Sequence, residues 1–230
     1  LEEKMGEPIE LDKLGALVEK RAVLSGHPLG ICTVPTCLVW EALHDIRPRG
    51  GDPNILLRTV GLTPEDLEVP GGRITAELYA DLWLAIADAI DDEFFGMNAR
   101  RMKRGSFGFI SRAVANCSDT RTAVSQILRF FSIMFDDMSA EMLEEDGLAI
   151  MHLHTPHEQL RAFTYFTFWL IVDGLTCWLT VRRIPILAID LPCPKPTQPH
   201  STGYYRTIFT EELRFDQPDN RLIFKAKFLD

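Results

Sequence analysis

His152, His154 and His157, in the run HLHTPH, come nearest in this sequence to the residue types and spacing of a metal site. On an extended strand, residues two apart share a face, so His152 and His154 would sit side by side with His157 just beyond them. Zinc takes such nitrogens, and a hydrolase would use the bound ion to activate water. A two-metal H-x-H-x-D-H arrangement would need an aspartate where Pro156 stands, and no further His/Asp cluster completes the set. The plainer reading is three imidazoles at a half-exposed strand end. A metal-dependent hydrolase built on the three histidines is kept as the alternative; the reading adopted has no metal, no cofactor and no catalytic residue.

Other candidates reduce similarly. Asp136-Asp137 and Glu144-Glu145-Asp146 could serve as acids and bases, but they fall at a helix end and a hairpin tip, where solvated charge is ordinary. Gly105-Ser106-Phe107-Gly108 starts like a phosphate-gripping loop. Phe109-Ile110 follow where a Walker loop needs its lysine, and the charged MNARRMKR precedes it where a dinucleotide fold needs a strand. There is no G-x-S-x-G elbow and no cysteine in a nucleophile motif. The chain reads as a non-enzyme.

Aromatic rows raise a different possibility. Phe130, Phe131 and Phe135 lie on one helix, and Phe163, Phe166, Trp169 and Leu170 on another. Core packing accounts for them. A pocket would also be lined by rings with a few polar groups, and Arg161, Tyr165 and Asp173 could orient a ligand there. The candidate ligand contacts are Phe131, Arg161, Tyr165, Phe166 and Trp169.

The elements that must position these groups follow from periodicity. Residues 1–30 form an extension with an amphipathic helix over 8–24, broken by SGHPLG. Helices follow over 35–46, over a short stretch ended by Gly61, from Thr75 (Leu78, Leu82, Ile86, Ala89 and Ile90 inward), and over about 93–103. Ser106 caps another, with Phe109, Ile110, Ala113 and Val114 as its buried stripe, and Ser118 or Thr120 caps the next. After Asp136 the period shortens: two alternating runs flank Asp146-Gly147, a hairpin signal. A helix over 157–183, a strand over 184–193, a short helix in STGYYRTIF, and two strands around Gln-Pro-Asp-Asn complete the chain. The fold class is α+β: a helical N-terminal half, then an antiparallel β-sheet with helices.

A 230-residue chain with a net charge of −9 can bury a large core but lacks the Lys/Arg excess of a nucleic-acid binder. Five scattered cysteines, without a C-x-x-C pair, suit reduced thiols in the cytoplasm. No signal-peptide pattern opens the sequence. Residues 162–181 have the length of a membrane span, but Asp173, Gly174 and the threonines at 164, 167, 176 and 180 argue for a buried core helix and no membrane partner.

The ordered series from ILLRTVGL through GGRIT, a long helix, Asp92-Glu93-Phe94-Phe95-Gly96, GSFG and Ser118-x-Thr120, closing on YYRTIFTEELRFDQPDNRLIFKAKFLD, resembles the N-terminal sensing domain of AraC/XylS-type transcription regulators, in the arabinose-binding-like branch. VPGGRI departs from the run commoner before Arg-Ile. The resemblance implies an effector-sensing and dimerisation domain over 31–230, an unknown small-molecule effector, and a homodimer. It also implies DNA contact only through a C-terminal helix-turn-helix domain of about 100 residues, absent from this chain. A stand-alone module that binds such a regulator is the further alternative. The resemblance makes Gly105–Gly108 a helix junction.

Overall fold

The computed structural model describes residues 33–155 and 160–230; the expected helix over 8–24, and His157, lie outside them. A short ladder opens the fold, β1 (Thr33–Pro35) antiparallel to β2 (Arg73–Thr75) with Val34 opposite Ile74. Between them run α1 (Thr36–Leu43), α2 (Pro53–Thr59) and the single-turn α3 (Pro64–Leu67). The side chain of Asp52 caps α2 by accepting from the Asn54 N–H, and Pro53 sits in the first turn, where no N–H is missed. Gly61, at φ 77°, turns the chain out of that helix.

Thr75 caps the next helix, α4 (Ala76–Ile90), through its hydroxyl. The buried stripe of α4 is Tyr79, Leu82, Trp83, Ile86, Ala87 and Ile90; Leu78 is half-buried and Ala89 is exposed, so the inward face is rotated from the one the sequence suggested.

The helix expected over 93–103 does not form; that stretch is turns and bends. Two buried carboxylates hold it. Asp92 accepts from the N–H groups of Phe94 (2.9 Å), Gly96 (3.0 Å) and Met102 (3.0 Å). Glu93 accepts from Gly105 (2.8 Å) and Phe107 (2.7 Å) and pairs with Arg104 (3.0 Å). These bonds, to backbone and side chain as far as fourteen residues away, give the segment an alternative to a helical ladder.

Next come α5 (Ser106–Ala115) and α6 (Thr120–Met134), the latter capped by Asp119 between the two residues expected for that role. Only Ile110 and Val114 of the expected α5 stripe are buried. Phe107 joins them, while Phe109 is 64% exposed and Ala113 faces solvent. Gly105, not Ser106, is the cap residue, and the helix starts at Ser106.

β3 (Ser139–Glu145) and β4 (Leu148–His154) form the expected hairpin, with Asp146 and Gly147 both at positive φ as a tight turn requires. β5 (Ile186–Asp190), β6 (Leu213–Arg214) and β7 (Arg221–Lys225) complete a five-stranded sheet ordered β3-β4-β7-β5-β6. It is antiparallel apart from the two-residue edge pair β5–β6. β6 and β7, which flank the Gln-Pro-Asp-Asn turn, do not pair with each other; β5 lies between them. The fold is mixed α+β.

Between β4 and β5 runs α7 (Ala162–Thr180), and between β5 and β6 runs α8 (Pro199–Ile208). α7 is long and apolar enough to cross a membrane by length and composition, yet most of it is buried inside this fold. Phe168, Trp169, Ile171, Val172 and Leu175 on successive sides are fully buried, which an all-round apolar helix requires. The Trp169 indole donates to Asn220 (2.8 Å), tying α7 to the residue before β7. Asp190, fully buried at the end of β5, meets Arg221 at 2.6 Å and Arg214 at 2.8 Å, the latter without hydrogen-bond alignment. Two guanidinium groups thus compensate one buried carboxylate.

Candidate functional site

The helical half and the sheet half meet along α4, α7 and α8, and the seam is lined by rings. Tyr79 and Trp83 come from one side of α4, one helical turn apart. Phe163, Phe166 and Leu170 come from α7, and Tyr205 with Phe209 from α8 and its end. Between these walls only about 30 Å³ is wide enough for the centre of a water molecule. That is room for about two waters, so the slot is nearly closed. Phe166 stacks on Tyr205 with ring centroids 3.6 Å apart, and Trp83 packs on Phe95 at 4.6 Å.

Few polar atoms reach this lining. The Tyr79 hydroxyl donates to the Leu38 carbonyl (3.2 Å). Burial pushes both the Tyr79 and Tyr205 phenols well above their ordinary range, so each stays a neutral hydroxyl. The Tyr79 hydroxyl is near enough to Trp83 to feel its indole N–H, but that N–H has no acceptor in hydrogen-bond geometry.

The slot's Leu38, Phe163 and Tyr205 also line a wider, polar groove bounded by Glu41, Arg161, Cys193, Lys195 and Gln198, of which about 390 Å³ admits the centre of a water. Arg161 is the residue that caps α7, where the helix dipole disfavours a cation. Glu41 and Asp45 of the other half offset this by pairing with its two terminal nitrogens. Burial pushes the Cys193 thiol up to about 11, which leaves it a poor nucleophile.

The structure separates the residues singled out in the sequence. Phe166 lines the slot, and Arg161 lies in the adjoining groove. Tyr165 is buried with its hydroxyl accepting from the Leu160 N–H (3.3 Å). Trp169 is fully buried on Asn220, and Phe131 packs among Phe130, Phe135 and Phe168. Asp173 is buried deeper along α7. Sequence reasoning missed Tyr79, Trp83 and Tyr205. The Tyr79/Trp83 spacing on an amphipathic helix and the Tyr204-Tyr205 pair were the available signals.

A sequence model described as the arabinose-binding domain of AraC transcription regulator, N-terminal, matches residues 50–230. The chain belongs to this family. No curated protein matches it. As an AraC-family sensing domain, it is a ligand-sensing regulatory unit.

The other candidates look different beside that assignment. His152 and His154 lie on the outward face of β4, rings 5.9 Å apart, while Met151 and Leu153 face the core. His154 is bonded to Glu141 (3.0 Å). Partial burial, then nearby Arg221, lowers the His152 pKa. Among the described residues no three His, Cys, Asp or Glu side chains gather as a metal site. At Gly105–Gly108, the N-terminus of α5 is a ready anion site by its dipole, but the protein's own Glu93 carboxylate fills it.

Proposed function

We propose that this sensing domain binds a small, largely apolar effector in the slot between α4, α7 and α8, with Arg161 in the adjoining groove. The observation that carries the proposal is the slot's position: its walls come from both halves of the fold, and the groove beside it holds the ion pairs that tie those halves together. A molecule entering the seam must part the rings of α4 from those of α8, and so acts on the relation between the halves. Such a switch needs a difference in affinity between two states, about 1–3 kcal/mol for ordinary coupling.

Arabinose, named in the family description, fits this lining poorly. A pentose carries hydroxyls all round and needs a polar partner for each, whereas the slot offers rings and aliphatic carbons. The polar groove alone could take hydroxyls.

In this reading the domain is cytoplasmic, pairs with a second copy, and reaches DNA through a separate basic helix-turn-helix domain. It does no chemistry itself: the slot holds neutral phenols and an indole. The decisive experiment uses the complete regulator with a reporter promoter, alongside mass spectrometry of small molecules bound to the sensing domain. A bound metabolite whose removal changes the reporter supports the proposal. Full reporter output from a protein that binds no metabolite would refute sensing. Light scattering on the purified chain tests the pairing.

A further inference from the structure

The slot's polar inventory specifies more than an apolar ligand. Five buried side-chain nitrogen or oxygen atoms among the described residues lack a hydrogen-bond partner: Trp83 Nε1, Asp190 Oδ1, Thr202 Oγ1, Arg214 Nε and Asn220 Nδ2. Asp190 and Arg214 face each other at 2.8 Å and compensate by charge. Of the five residues, Trp83 alone lines the slot. Its side chain is 3% exposed, so water does not take the proton of its N–H. An indole nitrogen is a donor only, and a buried donor without an acceptor is a cost the fold must carry. The adjacent Tyr79 hydroxyl gives its proton to Leu38, yet its oxygen does not align with the indole.

We propose, resting on the reading of the slot as the effector site, that the effector is a flat apolar molecule carrying a carbonyl- or ether-type oxygen, and that this oxygen accepts the Trp83 Nε1–H. Flatness follows from the walls. Rings supply much of the lining, the close Phe166–Tyr205 stack among them, and only about 30 Å³ admits the centre of a water, so a planar body displaces the least protein. The acceptor follows from the indole: a ligand that supplies it gains a bond in a dry site and removes an unpaired donor together. A hydrocarbon of the same shape gains only the burial. Recognition therefore discriminates by oxygen content, and a site with a donor to satisfy rejects the analogue lacking the acceptor.

Two probes of matched shape test this: acetophenone, with a carbonyl oxygen, and α-methylstyrene, with a methylene in its place. Each is titrated into the ¹⁵N-labelled chain, following the indole N–H resonances, with the Trp83 signal assigned by its loss in Trp83→Phe. The expected result is binding of both, a downfield move of the Trp83 indole proton with acetophenone only, and a loss of affinity in Trp83→Phe that is about tenfold greater for acetophenone than for α-methylstyrene. If both bind while the indole proton responds alike to each, the acceptor proposal is overturned and the slot stands. If neither binds, the slot reading fails and takes this inference with it. Where Trp83→Phe does not fold, the Trp83 indole signal is assigned by its NOEs to the Tyr79 and Phe95 rings packed on it, and its shift in the unmutated chain decides the matter.

Discussion

Phe166 of α7 and Tyr205 of α8 lie face to face, centroids 3.6 Å apart and planes 16° from parallel. Aromatic quadrupoles prefer offset or edge-to-face contacts, so this sandwich is held by what surrounds it, including Phe209 and Phe215 around Phe166. Phe166→Ala is expected to cost about 3–5 kcal/mol and to leave a void continuous with the slot. Benzene at millimolar concentration should restore part of that loss in the variant and stabilise the unmutated chain less. Denaturant melts with and without benzene measure both.

Glu93 spans the bend between α4 and α5, with a side chain 2% exposed and its oxygens on Gly105, Phe107 and Arg104. Glu93→Gln retains one acceptor but turns an amide donor toward N–H groups that also donate. It should destabilise the domain by about 2–3 kcal/mol. Added phosphate should not raise the melting temperature of the unmutated chain, because the carboxylate already occupies the helix terminus. Stabilisation by phosphate would show that this terminus is open to anions after all.

Arg161 ties α7 to Glu41 and Asp45 of the helical half, with all three side chains partly exposed. Its loss in Arg161→Ala should therefore be modest, about 1 kcal/mol, and should shrink as salt rises. Double-mutant cycles with Glu41→Gln and with Asp45→Asn isolate the two pairs; coupling energies of zero in both would show that the two halves are not held here.

Partial burial holds the His152 pKa below its ordinary 6.5 in the folded chain. The folded state thus binds this proton less readily than the unfolded one. Stability from His152 is complete above pH 6.5 and is lost as pH falls through the folded value. His152→Gln should flatten the stability-versus-pH curve in that window, measured by urea melts, with no change above neutrality. An unchanged slope would place the titrating group elsewhere.

Much of the fold was legible because it rests on local signals. Asp146-Gly147 announced the β3–β4 hairpin, Thr75 the start of α4, and the apolar run of α7 its burial. The failures in the element order share a physical cause, long-range partners. Asp92 and Glu93 replace a helix with a loop by bonding to backbone ten and more residues away, and nothing in the local spacing shows it. β6 pairs with β5 rather than across its own turn, because β7 is taken by β4 and β5. The slot was half legible for the same reason. Phe166 and Arg161 stood out on one helix, but Tyr79, Trp83 and Tyr205 join them only through the packing of α4 and α8 against it.

Ala80, a small residue on the slot wall, permits the most direct test of the central claim. Ala80→Phe places a ring where the effector would lie, with the slot's apolar walls to receive it. Thermal shifts with a metabolite library would be compared between this variant and the unmutated chain. Effectors at about 100 times their Kd should stabilise the unmutated chain by about 2.7 kcal/mol. The account predicts that these same compounds no longer shift Ala80→Phe, whose ligand-free melting temperature is lower because its ring must part a nearly closed slot. Equal stabilisation of both proteins would contradict it and move the effector site away from the α4–α7–α8 seam.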